Sequence, residues 1–293
     1  MTPKRMPAAS QDSIPANVTY ELLPFPKSFH SGLDLLQPDT HISITVSALP
    51  RFQGINGTIS RAEEAIERGF IHVVPHIAAR SIKGATHLDE ILGRCQDAGI
   101  MELFVIGGDA ELNEKLPYKD SLAVLGAVAA RGSAVQKVGV AGYPSGHPNP
   151  LVNERLISDL QFKQELAEQF SGGMYIETQF DFSALAILEW IHNIRELGIH
   201  LPVQVGLMGA AKRETAMRAM SLAGAGNSWK FMRRIHLNPI SFSLGRYTDK
   251  SAKIAEELAD SNTEILGFTI NTLGDVATTM VKCKPVHKAS RRL

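Results

Sequence analysis

Apolar residues fall along the chain in eight short runs, separated by longer stretches of a different rhythm. The runs are VTYELL (18–23), HISITVS (41–47), IHVVPHI (71–77), ELFVIGG (102–108), KVGVAGY (137–143), MYIETQF (174–180), PVQVGLM (202–208) and EILGFTIN (264–271). Most are unbroken and β-branched rather than strictly alternating, the pattern of parallel strands covered on both faces. Between them, apolar positions recur every three or four residues, which predicts helices. SRAEEAIERGF (60–70) opens on Ser60 as N-cap and closes on Gly69. HLDEILGRCQDAGI (87–100) and SALAILEWIHNIRELGI (183–199) close on Gly99 and Gly198 in the same way, since glycine ends a helix without Cβ strain. Segments 118–132, 153–170, 212–224 and 247–260 carry the same periodicity. The first strand-to-strand connection is short and poor in helical signal.

Repeated strand–helix units predict a parallel sheet. Eight of them predict closure into a (β/α)8 TIM barrel, a single-domain α/β fold of about 250 residues. The competing arrangement, an open doubly wound sheet, usually shows a Gly-rich phosphate turn after its first strand. Here that strand runs into PFPKSFHS, with no GxGxxG. Residues 18–283 are assigned to the barrel, with a flexible tail at 1–17 and a basic tail at 284–293.

Charge narrows the function classes. The chain carries 30 basic and 30 acidic side chains, so it lacks the basic excess that would meet nucleic-acid phosphates or an anionic membrane surface. No apolar run reaches the roughly 18 residues that span a bilayer, and the N-terminus has no apolar segment of a secretory signal. Cys95 and Cys283 lie far apart with no CxxC spacing, which reads as two reduced thiols in a cytoplasmic protein.

In such barrels the chemistry sits at the C-terminal ends of the strands. The polar residues there are Glu21, Thr45, His76, Asp109, Tyr143, His147, Gln179, Thr269 and Asn271. His76, Asp109 and His147 are a conceivable facial metal trio, but no pair has a short ligand spacing, so no metal is expected. A strand-end lysine for Schiff-base chemistry is missing, as are a Gly-x-Ser-x-Gly elbow and a P-loop. Carboxylates, imidazoles, an aromatic ring and an amide suit general acid/base work around a bound heteroaromatic cofactor or substrate.

These residues carry a resemblance. YELLP at strand one, ISIT at strand two, VVPHI at strand three, VIGGD at strand four, AGYPSGHP at strand five, ETQFDFS at strand six and FTIN at strand eight stand in order. Together with Tyr118 they resemble the barrel-only bacterial methylenetetrahydrofolate reductase family, over roughly residues 18 to 283. The resemblance implies reduction of 5,10-methylenetetrahydrofolate to 5-methyltetrahydrofolate in one-carbon metabolism. Hydride would come from NADH or NADPH, relayed through FAD. It implies Glu21, Asp109 and Gln179 as catalytic residues, with Glu21 a protonated acid in a dry cleft. Thr45, His76, Gly108, Asp109, Tyr118, Tyr143, His147, Asp159 and Lys163 would bind the cofactor, and Glu21, Gln179 and Asn271 the folate. Barrels of this kind often self-associate, so a homo-oligomer is an expectation as well.

Two departures bear on the flavin. The strand-four Arg of the family is Gly107 here, and Glu165 stands where a second helix-five Lys is expected. Both changes remove cations from a diphosphate site and imply weak FAD binding, or none with hydride passed directly from the nicotinamide, unless Arg51 and Arg80 in the mouth loops replace them. Two other readings use the same residues: a related enzyme running in the methyl-oxidising direction, and a non-catalytic pterin- or flavin-binding barrel.

Overall fold

Along the first strand, β1 (Val18–Leu22), side chains divide between two environments. Val18, Tyr20 and Leu22 are buried in the apolar core. Thr19 and Glu21 face the other way, into the bore, where they meet Gln204 and Asn271 of the last two strands. This period of two is the pleat of a strand expressed as chemistry, and it holds for the sheet as a whole. The computed structural model describes residues 14–47, 52, 54–108, 110, 114–147, 149–210, 214 and 247–293.

The strands are β1, β2 (His41–Ile44), β3 (Val73–Ala78), β4 (Glu102–Ile106), β5 (Lys137–Gly142), β6 (Met174–Thr178), β7 (Val203–Met208) and β8 (Gly267–Asn271). All pair in parallel, each with its sequence neighbours, and β1 pairs with β8 to close an eight-stranded barrel. The predicted (β/α)8 barrel is the observed fold, with every expected strand in place. Closure sets Val18 beside Phe268 and Glu21 beside Asn271.

The helices form the outer layer. They are α1 (Pro26–Leu33), α2 (Gly54–Glu67), α3 (Ala85–Asp97), α4 (Ser121–Ala129), α5 (Pro150–Asn153), α6 (Leu156–Leu166) and α7 (Ala184–Glu196), followed by helices Tyr247–Ala259, Val276–Lys282 and Lys284–Ser290. Asp120 and Ser183 cap α4 and α7, each side chain accepting a backbone N–H of the first turn. Gly99 and Gly198 take positive φ just past α3 and α7, as the sequence predicts.

Three expectations are corrected. The first connection does hold a helix, α1. Its apolar stripe is only Phe29 and Leu33 beside Gly32, too short to read as a period, and Pro26 sets its first turn. Helix α2 begins at Gly54, so Ser60 is no N-cap. Ile55, Thr58 and Ile59 extend the buried stripe one turn further back, and the Ser60 hydroxyl accepts from Arg94. The basic segment 284–293 is no loose tail. Residues Lys284–Ser290 form a helix with Val286, His287, Ala289 and Ser290 buried. Its His287 Nε2 lies 2.8 Å from the Tyr20 hydroxyl, and Asn17 donates to Ser290 O at 3.0 Å. The basic side chains of that segment hid its apolar face. Of the expected N-terminal tail, residues 1–13 lie outside the described residues, as does the helix expected at 212–224 apart from residue 214.

Candidate functional site

The inward side chains make the barrel bore polar. At the mouth, Asn271 donates its amide N–H to Glu21 Oε1 in a short contact. His76 Nε2 lies 4.0 Å from Glu21 Oε2 and has no hydrogen-bond partner. Burial pushes the Glu21 carboxyl up to about 8, with the Glu177 charge adding to it. Burial pushes the His76 imidazole down to about 3, so the ring beside Glu21 is neutral. A neutral ring gives no charge to ionise the carboxyl, which favours the protonated form of Glu21 at neutral pH. The turn after β8 fixes it: Thr272 Oγ1 donates to Glu21 O at 2.7 Å, and Leu273 N donates to Asn271 Oδ1 at 3.0 Å. Leu273 holds φ at 52°, an uncommon backbone state for a branched residue.

Rim loops add the remaining groups. Gln179 follows β6, with its N–H on Gly142 O at 2.7 Å. Tyr143 and His147 follow β5 and meet edge to face, with ring centroids 5.0 Å apart. Asn149 N donates to His147 Nδ1 at 3.0 Å, which puts the neutral ring's proton on Nε2. Gly146, at φ 74°, turns the loop between them. Thr45 ends β2 with its N–H on Leu22 O at 3.0 Å. Gly108, at φ 88°, brings the β4 turn down on Ala78. Arg80 from the β3 loop donates to Gly108 O, its guanidinium lies against Gly107, and its Nε is buried without a partner.

The other expected residues are not all at the mouth. Tyr118 is buried in the apolar core of the helix layer, with its hydroxyl beside Arg131. Lys163 is buried on α6 with Asp159 and Asp120 as counter-charges, and burial lowers its ammonium pKa. Glu165 is exposed two residues further along that helix, on the face away from the buried lysine. Asp109, Arg51 and Pro148 lie outside the described residues.

Sequence reasoning missed the interior of the bore. Glu177 is buried on β6 and accepts from Thr269 Oγ1 at 2.6 Å. Gln204 donates to Thr269 and Thr19 at 2.8 and 3.0 Å. Lower down, Lys137 lies 3.3 Å from Glu102 and over the Tyr175 ring. Asp181 ties two rim loops together, accepting from Ser145 Oγ and from Ser183 N. The signal was present in MYIETQF, where Tyr175, Glu177 and Gln179 alternate with apolar neighbours.

The buried titratable groups set a pH optimum for stability. His41, His76 and His287 are held at about 4, 3 and 4, below their ordinary 6.5. Below 6.5 the unfolded chain takes up protons that the folded chain refuses, and stability falls. Glu21 and Glu177 are held at about 8 and 7, above their ordinary 4.5. Between those limits the folded chain keeps protons that the unfolded chain releases, so the pair loses stability as pH rises. Three imidazoles outweigh two carboxyls on the acid side, and the carboxyls act alone above 6.5. Urea midpoints are therefore expected to peak near pH 6.5. A midpoint climbing steadily to about pH 8 would show the two carboxyls ionised in the folded protein.

Both free thiols are buried: Cys95 is pushed up to about 12 and Cys283 to about 11, so neither is a nucleophile. Among the described residues no helix is long and apolar enough to cross a membrane.

Solved structures share the barrel. An uncharacterised protein from Clostridium thermocellum that binds two copies of 5-methyl-5,6,7,8-tetrahydrofolic acid matches with TM-score 0.53 and 12% identity, covering 93% of each chain. Dihydropteroate synthase from Thermus thermophilus matches with TM-score 0.46 and 12% identity, over 93% of this chain and 92% of that one. At 12% identity the likeness to the Clostridium thermocellum protein is one of fold. A sequence model of methylenetetrahydrofolate reductase matches residues 30–239, which takes in the ends of β2 to β7 but neither Glu21 nor Asn271. That span exceeds half of the 293 residues, and the chain belongs to the methylenetetrahydrofolate reductase family of folate-related oxidoreductases.

Proposed function

We propose that this protein reduces 5,10-methylenetetrahydrofolate to 5-methyltetrahydrofolate, with a nicotinamide cofactor as hydride source and Glu21 as the acid. The observation that carries the reading is the protonated Glu21 carboxyl, buried between a neutral His76 and the Asn271 amide. The closed methylene bridge is a poor hydride acceptor. Glu21 donates its proton to the departing nitrogen, the carbon–nitrogen bond breaks, and the bridge opens to an iminium cation at the pterin nitrogen. Hydride then adds to the methylene carbon and gives the methyl group. A carboxyl with ordinary acidity would already be ionised at neutral pH and could not start this sequence. Gln179 and Asn271 would orient the folate in this reading.

The described residues fit a flavin. Gly107 lacks the family's cation, but the Arg80 guanidinium stands against it, with a buried Nε unused by the protein. Arg80, His76, Tyr143 and His147 would hold the cofactor, whose chemistry is to carry hydride between nicotinamide and folate. Lys163 is already neutralised by Asp159 and Asp120, so the diphosphate grip rests on fewer free cations than the family pattern provides. The part of Asp109 in this reading rests on its place in the sequence motif.

The test is nicotinamide oxidation by the purified protein with methylenetetrahydrofolate, using NADH and NADPH in turn, with FAD added and omitted. The expected result is folate-dependent loss of nicotinamide absorbance, faster with added FAD. Folate binding without turnover under every condition would make this a binding barrel instead.

A further inference from the structure

We propose that Glu177 is a positioning residue for this reaction: its carboxylate, one layer below Glu21 in the same bore, keeps the proton on Glu21. The inference rests on the role of Glu21 just given. Strand register places Thr19 beside Thr269 and Glu21 beside Asn271, so the group bonded to Thr269 lies directly beneath the acid. That group is Glu177, 7% exposed.

The hydrogen bonds around Glu177 have a direction. Gln204 Nε2 donates to Thr269 Oγ1 at 2.8 Å, which leaves the Thr269 hydroxyl proton for Glu177 Oε2 at 2.6 Å. A donor fixed on one carboxylate oxygen favours the ionised form there. Glu21 has a weaker arrangement for ionisation, since among the described residues only the Asn271 amide donates to its carboxyl and His76 Nε2 is 4.0 Å away. Two carboxyls in one bore cannot both ionise readily, so as the pH rises through neutrality the pair gives up one proton first and its surroundings decide from which carboxyl. Here they leave the charge on Glu177 and the proton on Glu21. The electrostatic couplings agree, because the Glu177 charge raises Glu21, which ends at about 8 against about 7 for Glu177.

Of the other groups facing the pair, Glu102 adds to the burial that raises Glu177 and the Thr269 hydrogen bond opposes it; the rest do not cancel the Glu177 charge. His76 is neutral. Tyr175 is held protonated well above its ordinary value, by burial first and then by Glu102 and Glu177. Lys137 is committed to Glu102 at 3.3 Å. Ser43, Thr19, Gln204 and Asn271 carry no charge.

The decisive variant is Glu177→Gln, which keeps the shape and removes the charge. Its turnover is expected to lose its basic limb about one pH unit earlier than wild type, an approximately tenfold loss near pH 8 with little change near pH 6. Carbon-13 carboxyl titration by NMR reads the same shift in the absence of turnover, and in the wild type it also shows which carboxyl ionises first. An unmoved Glu21 titration in Glu177→Gln, or a wild-type Glu177 that stays protonated while Glu21 titrates, overturns the proposal. Glu21→Gln separates the two claims. Full turnover in that variant would sink the assigned reaction, while the carboxyl titration would still decide the role of Glu177.

Discussion

Glu21→Gln is expected to abolish folate reduction while leaving nicotinamide oxidation by added flavin intact. The loss is about 10²–10⁴-fold, the range supplied by a positioned general acid. Gln preserves the shape of the side chain and can still meet Asn271, so the barrel loses little packing. What it lacks is a proton that can leave. The neighbouring imidazole is no substitute: His76 is neutral at any pH above about 3, and its Nε2 is 4.0 Å from the Glu21 carboxyl. Stopped-flow measurement of the two half reactions separates these effects. Unchanged folate turnover in the variant would remove Glu21 from the mechanism. An equal loss in both half reactions would point to a damaged mouth.

The second large effect is structural. Gly206→Ala is expected to destabilise the barrel by about 3 kcal/mol, the upper end for overpacking. A Cβ at this position would lie 2.1 Å from Thr178 O and 3.2 Å from Phe180 N. Both obstacles are backbone, and Gly206 N also donates to Thr178 Oγ1 at 3.0 Å, so the chain after β6 has to be pushed aside. For a chain of this size that corresponds to a melting temperature lower by about 6–12 °C. The displaced segment includes Gln179, so KM for folate is expected to rise in the surviving protein. A melting temperature within about 1 °C of wild type would show that β6 and β7 separate at little cost.

The barrel was legible because its determinants are local and repeated. Each strand is an apolar run of the right length, and helix ends such as Ser183 and Gly198 carry their own chemistry. The rim was legible for a related reason, since Glu21, His76, Tyr143 and Gln179 all stand at strand ends, where the fold puts its site. The bore was not. Reading the strands as covered on both faces by apolar side chains hid Thr19, Glu177 and Gln204, whose partners are supplied by closure across as many as 185 residues. Arg80 and Glu165 show the same limit from the other side. Local alignment placed both near a diphosphate site, but only packing reveals that Arg80 fills the space beside Gly107 and Glu165 faces solvent.

Barrel closure also has a timetable. Tyr20 leaves the ribosome 267 residues before His287, the residue that its hydroxyl finally meets. At about 5–20 residues per second, that is a wait of about 13–50 s. Throughout it β1 has one open edge, which β8 later occupies, and the strand bearing the proposed acid is the last to be enclosed. Assembly of the proton-donating site is thus a late event in the life of each new chain, coincident with the seam that seals the barrel.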